Sequence, residues 1–160
     1  MLTESMEDYL EMIYRLAKGE GSVRSVDLAE KLHVQASSVT RMVQKLDEAG
    51  FVCYERYRNI ALTPIGKKYG KFLIWRDRTL KEFLRLLDAG LGIEEQVEGM
   101  EHYVTPSTMA LIRDVITFFA ARPGDLAALR SLQGQLDYPD SERLPQLRAW
   151  DFRHSSDGLQ

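Results

Sequence analysis

ASSVTRMVQKLDEAGFVCYERYRNIAL, residues 36–62, carries two periodicities back to back. From Ala36 to Ala49 the apolar residues Val39, Met42, Val43 and Leu46 recur at helical spacing, and Gly50 closes the run. The outward positions are then Ser37, Ser38, Thr40, Arg41, Gln44 and Lys45. Beyond the glycine, Phe51 to Glu55 and Ile60 to Leu62 are β-favouring runs joined by Arg56-Tyr57-Arg58-Asn59, which predicts a short hairpin with cations at its tip. Upstream, Val26 to Leu32 reads as a short helix and His33-Val34-Gln35 as a turn. Helix, turn, longer helix and hairpin together make a winged helix-turn-helix.

Small polar side chains at the start of the longer helix, with Arg and Gln one turn on, suit the major groove of double-stranded DNA. Ser37, Ser38, Thr40, Arg41 and Gln44 are expected to face bases or adjacent phosphates, and Lys45, Arg56 and Arg58 to contact the backbone. The charge distribution agrees. The whole chain of 160 residues has a formal charge of −3, yet residues 41–71 hold seven Lys or Arg against three Asp or Glu. Residues 72–160 hold ten against fourteen, so the basic excess is local.

Working outward, a first helix is predicted from Ser5 to about Lys18, with Leu10, Ile13 and Ala17 on one face and Asp8 and Glu11 roughly opposite. Thr63-Pro64 is an N-cap and first-turn pair, and the helix it opens can run to about Leu87 before Gly90 and Gly92. Shorter helices are predicted over Ile93–Tyr103, from Thr105-Pro106 to about Ala121, and from Asp125 to Leu132. In the second of these, Leu111, Ile112, Val115, Ile116, Phe118 and Phe119 cover more than one face, which points to a subunit interface and a homodimer. The predicted fold is therefore mainly α: an N-terminal winged helix-turn-helix of three helices plus a β-hairpin wing, then an all-α dimerisation domain. The expected boundaries are 1–72 for the DNA-binding domain, 73–134 for the helical metal-binding and dimerisation domain, and 135–160 for a mobile tail.

Composition narrows the chemistry. With 44% hydrophobic residues the chain can bury a sizeable core, and no stretch matches a membrane span or a leader peptide, so the cytoplasm is the expected location. Cys53 is the single cysteine, in a predicted strand where a small buried side chain is the default. A thiolate metal cluster within one chain is thereby excluded.

Oxygen and nitrogen ligands remain, and they cluster. Asp8-x-x-Glu11 places two carboxylates on one helical face, and Glu98-x-x-Glu101-His102 places three acceptors on another. Each has a bland reading. Ser5-x-x-Asp8 resembles a capping box, and isolated acids are usually solvated. The second cluster resists that reading better, because its acceptors have few cations nearby and repel when ionised. Asp77 adds a third clue: it lies between Leu73, Leu80 and Leu84 in an apolar stripe, where a carboxylate needs a partner, Lys81 at i+4 being the simple one. Arg76 borders the same stripe. Asp8, Glu11, Asp77, Glu98, Glu101 and His102 amount to five carboxylates and one imidazole, enough for two divalent ions, and such a set favours Mn²⁺ or Fe²⁺ over Zn²⁺ and Cu²⁺. His33 in the turn and His154 near the end are expected to be structural and solvated, respectively.

Met6-Glu7-Asp8-Tyr9-Leu10-Glu11-Met12-Ile13-Tyr14, Ser37 to Leu46, and Val97-Glu98-Gly99-Met100-Glu101-His102 resemble the diphtheria-toxin-repressor family over about residues 3–135. The resemblance implies a dimeric winged-helix repressor activated by divalent metal, and Asp8 and Glu98 resemble the branch that shuts down manganese-uptake genes. The iron-responsive branch tends to have methionine and cysteine at those two places. By the same resemblance Asp8, Glu11, Glu98, Glu101 and His102 match a binuclear site, a Mn²⁺ cofactor is implied with Fe²⁺ as the alternative, and the DNA target is a palindromic operator. Asp77 departs from the pattern, which usually has histidine there. The residues after Asp137 extend beyond the short manganese-type pattern and are too few for an SH3-like third domain.

Two further readings stay open. One is a metal-independent winged-helix repressor that senses an organic ligand, although no small organic ligand is expected from the acidic set. The other, a di-metal enzyme, is disfavoured because such helix-bundle enzymes use two Glu-x-x-His motifs, and one histidine stands near these acids.

Overall fold

A computed structural model describes residues 2–17, 21–54, 59–89 and 92–132. The predicted wing tip with Arg56 and Arg58, and the tail from 135, lie outside the described residues.

The first helix, α1 (Glu4–Leu16), begins one residue earlier than expected because Thr3 caps it, its Oγ1 accepting from Met6 N at 3.3 Å. Ser5 therefore lies inside the helix, and the capping explanation for Asp8 falls away. A two-residue strand β1 (Ser22–Val23) precedes α2 (Ser25–Lys31) and α3 (Ala36–Glu48). Both helices end in the same way. After α3, Gly50 takes φ 79°, Phe51 N donates to Leu46 O at 2.9 Å and Gly50 N to Asp47 O at 2.8 Å. After α2, His33 takes φ 52° and Val34 N donates to Ala29 O at 3.0 Å. Each is a Schellman ending, and the second sets the turn between the two helices of the motif. His33 is a turn residue, as expected.

β2 (Val52–Tyr54) and β3 (Ile60–Leu62) pair antiparallel, with Cys53 opposite Ala61. The sequence reading missed β1, which pairs with β3 on its other edge to give the order β1-β3-β2. Alternation puts Val52, Ile60 and Leu62 inwards and leaves Cys53 exposed, not buried as its residue type implied. Leu10, Ile13, Leu28, Val39, Val43, Leu46, Val52 and Ile60 form the centre of the core under the three helices.

Thr63 caps α4 (Pro64–Leu86), its Oγ1 accepting from Gly66 N at 3.0 Å and donating to Gly50 O at 2.7 Å. This fastens the long helix to the end of α3. At Gly66 a Cβ would stand 1.8 Å from the Phe51 carbonyl oxygen, and at Gly70 it would stand 2.7 Å from the Tyr14 side chain. Gly66→Ala is expected to lower stability by roughly 1–3 kcal/mol, the usual cost of overpacking. Thermal unfolding measures it, and an unchanged midpoint would mean that α4 does not approach Phe51 this closely.

Leu73 of α4 belongs to the first core, and Leu80 belongs to a second, smaller cluster with Val97 and Met109. Val97 lies on α5 (Ile93–Met100), which runs into a 3₁₀ turn, Glu101–Tyr103; Met109 lies on α6 (Pro106–Ala120). Leu111 and Val115 of α6 are exposed, at 65% and 38%. Described residues up to Thr117 form one compact unit and those from Phe118 another. In the latter, Phe118 meets Phe119 edge-on, the Arg122 guanidinium lies 4.1 Å from the Phe118 ring centre, and α7 (Pro123–Leu132) buries no side chain. Among the described residues no helix is long and apolar enough to cross a membrane.

Candidate metal centre and nucleic-acid interface

The apolar face of α1 packs on the DNA-binding core, and its opposite face is covered as well. Glu7, Asp8 and Glu11 are half-buried: α4 packs along α1, and His102 of the 3₁₀ turn meets Glu7 and Asp8. Carboxylates removed from water need partners, and the structure supplies two different kinds.

At one end Glu7 is fully engaged. Its Oε1 accepts from Tyr69 Oη at 2.8 Å; its Oε2 accepts from Arg76 Nη1 at 2.9 Å and lies 2.9 Å from His102 Nδ1. These bonds outweigh its burial and hold the Glu7 carboxyl below its ordinary range. Burial, reinforced by the Glu7 charge, pushes the Tyr69 phenol up to about 12. Because a carboxylate only accepts, His102 Nδ1 carries the proton in this contact. Nε2 then points the other way, 3.2 Å from Asp8 Oδ1. Burial opposes charge on His102, yet the hydrogen bond to Glu7 and the Asp8 charge together raise its pKa.

Around that Nε2 a ligand set forms. Asp8, Glu98 and His102 each offer one ligand atom, and the three atoms lie within 4.8 Å of one another. Burial raises the Asp8 pKa, helped by the charges of Glu98, Glu11 and Glu7, while His102 opposes it. Glu101 is 4% exposed and its Oε2 has no hydrogen-bond partner. Arg76 Nε is 3.7 Å away and likewise unpartnered. Burial first, then the charges of Glu11 and Asp77, push the Glu101 carboxyl up to about 7. The cluster thus holds more negative charge than its own cations neutralise, and two carboxylates with an imidazole fit a divalent ion.

Glu11 and Asp77 are engaged otherwise. Glu11 Oε1 accepts from Arg15, at 2.9 Å from Nε and 2.5 Å from Nη2. Asp77 is buried as the stripe predicts, and it takes its i+4 neighbour Lys81 at 2.7 Å together with Arg15 at 3.2 Å. Of the six expected metal residues, three come together, Glu101 lies buried beside them, and two are held by cations of the chain. Glu7, Arg76 and Arg15 went unremarked as partners, although an arginine beside an apolar stripe is itself a signal that a carboxylate must meet it.

On α3, Val39, Val43 and Leu46 are buried, and Ser37, Ser38, Arg41, Gln44 and Lys45 are exposed along one side. Thr40 is half-buried, its hydroxyl donating to Ala36 O at 3.0 Å. Asp47 Oδ1 accepts from Tyr54 N at 3.1 Å and ties this helix to the sheet.

Residues 1–60 match the family model described as iron dependent repressor, N-terminal DNA binding domain, and residues 63–126 match its metal binding and dimerisation domain. The chain belongs to the iron-dependent repressor family. It is a DNA-binding, metal-dependent transcriptional repressor, as its resemblance implied.

Among relatives of this repressor, the HTH-type transcriptional regulator MntR of Shouchella clausii is 41% identical over 143 residues, covering 89% of the chain and 100% of the relative. That of Geobacillus thermodenitrificans is 44% identical over 134 residues, 83% of the chain and 95% of the relative. The MntR of Bacillus subtilis is 41% identical over 143 residues, 86% and 98% respectively. A solved manganese-dependent transcriptional repressor in complex with manganese superposes with a TM-score of 0.61 at 28% identity, over 71% of the chain and 53% of that structure. The manganese regulator SloR gives 0.60 at 27% identity, over 73% and 55%. The repressor spans about half the length of those solved chains.

Proposed function

We propose that this repressor responds to Mn²⁺ and silences manganese-uptake genes by binding a palindromic operator as a homodimer. The observation that carries the reading is the meeting of Asp8 from α1 with Glu98 from α5 and His102 from the 3₁₀ turn, their ligand atoms within 4.8 Å. Glu101 joins them as a fourth donor in this proposal. Oxygen-rich donors with one imidazole favour Mn²⁺ or Fe²⁺ over softer-site metals, and the MntR relatives and the manganese-bound structural neighbour favour the former.

A bound divalent ion would supply the positive charge that the cluster lacks. Asp8 rides on α1, whose other face packs under α3, while Glu98 and His102 belong to the segment packed with α4. Without a shared cation Asp8 and Glu98 repel, which loosens α1, and with it α3, from α5. Glu7 keeps His102 Nε2 directed at the site, as the acceptor of an outer hydrogen bond. The two α3 helices of a homodimer must stand about one DNA turn apart, roughly 34 Å, to read a palindrome. Exposed Leu111 and Val115 of α6 are the proposed dimer contacts. Ser37, Ser38, Thr40, Arg41 and Gln44 would face bases or adjacent phosphates, with Lys45, and on their place in the wing sequence Arg56 and Arg58, on the backbone.

Gel shift on DNA from upstream of a manganese-uptake gene, in chelated buffer with and without Mn²⁺, tests this. Mn²⁺ is expected to tighten binding by about 5–150-fold, the ordinary range of coupling between two ligands. Equal affinity in both buffers would sink the metal-switch reading.

A further inference from the structure

The chain carries its own cations into half of the expected metal centre. Arg15 Nη2 lies 2.5 Å from Glu11 Oε1 and 3.2 Å from Asp77 Oδ2, so one guanidinium nitrogen joins a carboxylate of α1 to a carboxylate of α4. Lys81 Nζ holds the other oxygen of Asp77 at 2.7 Å and also pairs with Glu94, which Arg85 meets at 3.2 Å. Three carboxylates, Glu11, Asp77 and Glu94, therefore face three cations, Arg15, Lys81 and Arg85. Across the site Glu7, Asp8, Glu98 and Glu101 are four carboxylates facing Arg76 and His102. Even with His102 charged and the buried Glu101 protonated, one negative charge is left over there, two once Glu101 is ionised, and none is left over among Glu11, Asp77 and Glu94. A single divalent ion balances the first half, and a second would have to evict Arg15 and Lys81 from the other.

We propose that Arg15 serves as a built-in cation in place of a second metal, so that each subunit holds one divalent ion, at Asp8, Glu98 and His102, and not two. This rests on the metal-site reading above. The aspartate at position 77 is what makes the arrangement work: a carboxylate presents two oxygens to two cations, whereas a neutral imidazole has one lone pair and no charge to attract either. Arg15 is 42% exposed, which leaves its guanidinium replaceable without opening the core.

Equilibrium dialysis of the full chain against Mn²⁺ with metal quantification reads the stoichiometry, on the wild type, on Arg15→Lys and on the double variant Arg15→Met with Asp77→His. One equivalent is expected for the wild type and for Arg15→Lys, and two for the double variant. The electron paramagnetic resonance of the loaded wild type is expected to show the resolved hyperfine pattern of isolated Mn²⁺. Two equivalents or a spin-coupled signal in the wild type overturns the proposal, and so does a double variant that still binds one. A wild type that binds no Mn²⁺ overturns the metal-site reading itself. Circular dichroism of the variants establishes that they are folded before the count is taken.

Discussion

His102→Ala is expected to abolish the manganese response of operator binding at metal concentrations that saturate the wild type. His102 supplies the only nitrogen in the three-residue set, and its ring is held from behind by Glu7 at 2.9 Å so that Nε2 faces Asp8 at 3.2 Å. Removing the ring leaves Asp8 and Glu98, two like charges on different elements, with no neutral donor between them. The ligand's loss should exceed the roughly 10–100-fold in metal affinity that follows removal of an outer hydrogen-bond partner. Because metal and DNA binding are coupled reciprocally, the tightening of about 5–150-fold that Mn²⁺ confers is then lost with it. Glu7→Gln makes the informative comparison. It keeps an acceptor for Nδ1 but loses the charge, so its metal affinity is expected to fall between wild type and His102→Ala. Fluorescence anisotropy of labelled operator against Mn²⁺ resolves the three curves, and a His102→Ala curve that overlays the wild type would mean that the site lies elsewhere.

The DNA-binding half was legible because its signals are local. The stripe of Val39, Val43 and Leu46, the stop at Gly50 and the Thr63-Pro64 start lie within a turn or two of what they control, and helices α3 and α4 stand within a residue or two of their predicted limits. Strand β1 was not legible, since two residues have no periodicity and Ser22-Val23 is a strand only because β3 is there to pair with it. His33 at φ 52° shows a related limit: the helix ending that the motif needs was met by a residue other than glycine. At the site the acids could be named, but not which cation each would meet. Arg15 to Glu11 is an i,i+4 contact that the sequence offers directly. Arg15 to Asp77 spans 62 positions and Glu7 to Arg76 spans 69, and no spacing rule reaches that far. Asp77 shows the difference best, because its burial was readable from the apolar stripe and its second partner was not.

Arg76→Met is expected to cost about 3–5 kcal/mol in metal-free buffer, the usual penalty for removing one member of a buried ion pair. Arg76 is 3% exposed and donates to Glu7 Oε2 at 2.9 Å, with its Nε 3.7 Å from the unpartnered Glu101 Oε2. Methionine matches the length of the aliphatic stem, so the loss is electrostatic and not a matter of volume. Glu7 would keep Tyr69 and His102, while Glu101 would lose the nearest cation that its burial leaves within reach. At roughly 2–4 °C per kcal/mol for a chain of this size, the midpoint should fall by on the order of 10 °C. The exposed pair Arg113–Glu82, at 2.6 Å, is the contrast: Arg113→Ala should cost no more than about 1 kcal/mol despite the shorter distance, because water screens both partners. Combining Arg76→Met with Glu101→Gln separates charge from packing. If the network is electrostatic, the double variant recovers part of the loss, since the carboxylate stranded by the first change is neutralised by the second. A loss below about 1 kcal/mol for Arg76→Met alone would show that these charges are solvated in solution, and the charge balance that directs a cation to Asp8, Glu98 and His102 would fall with them.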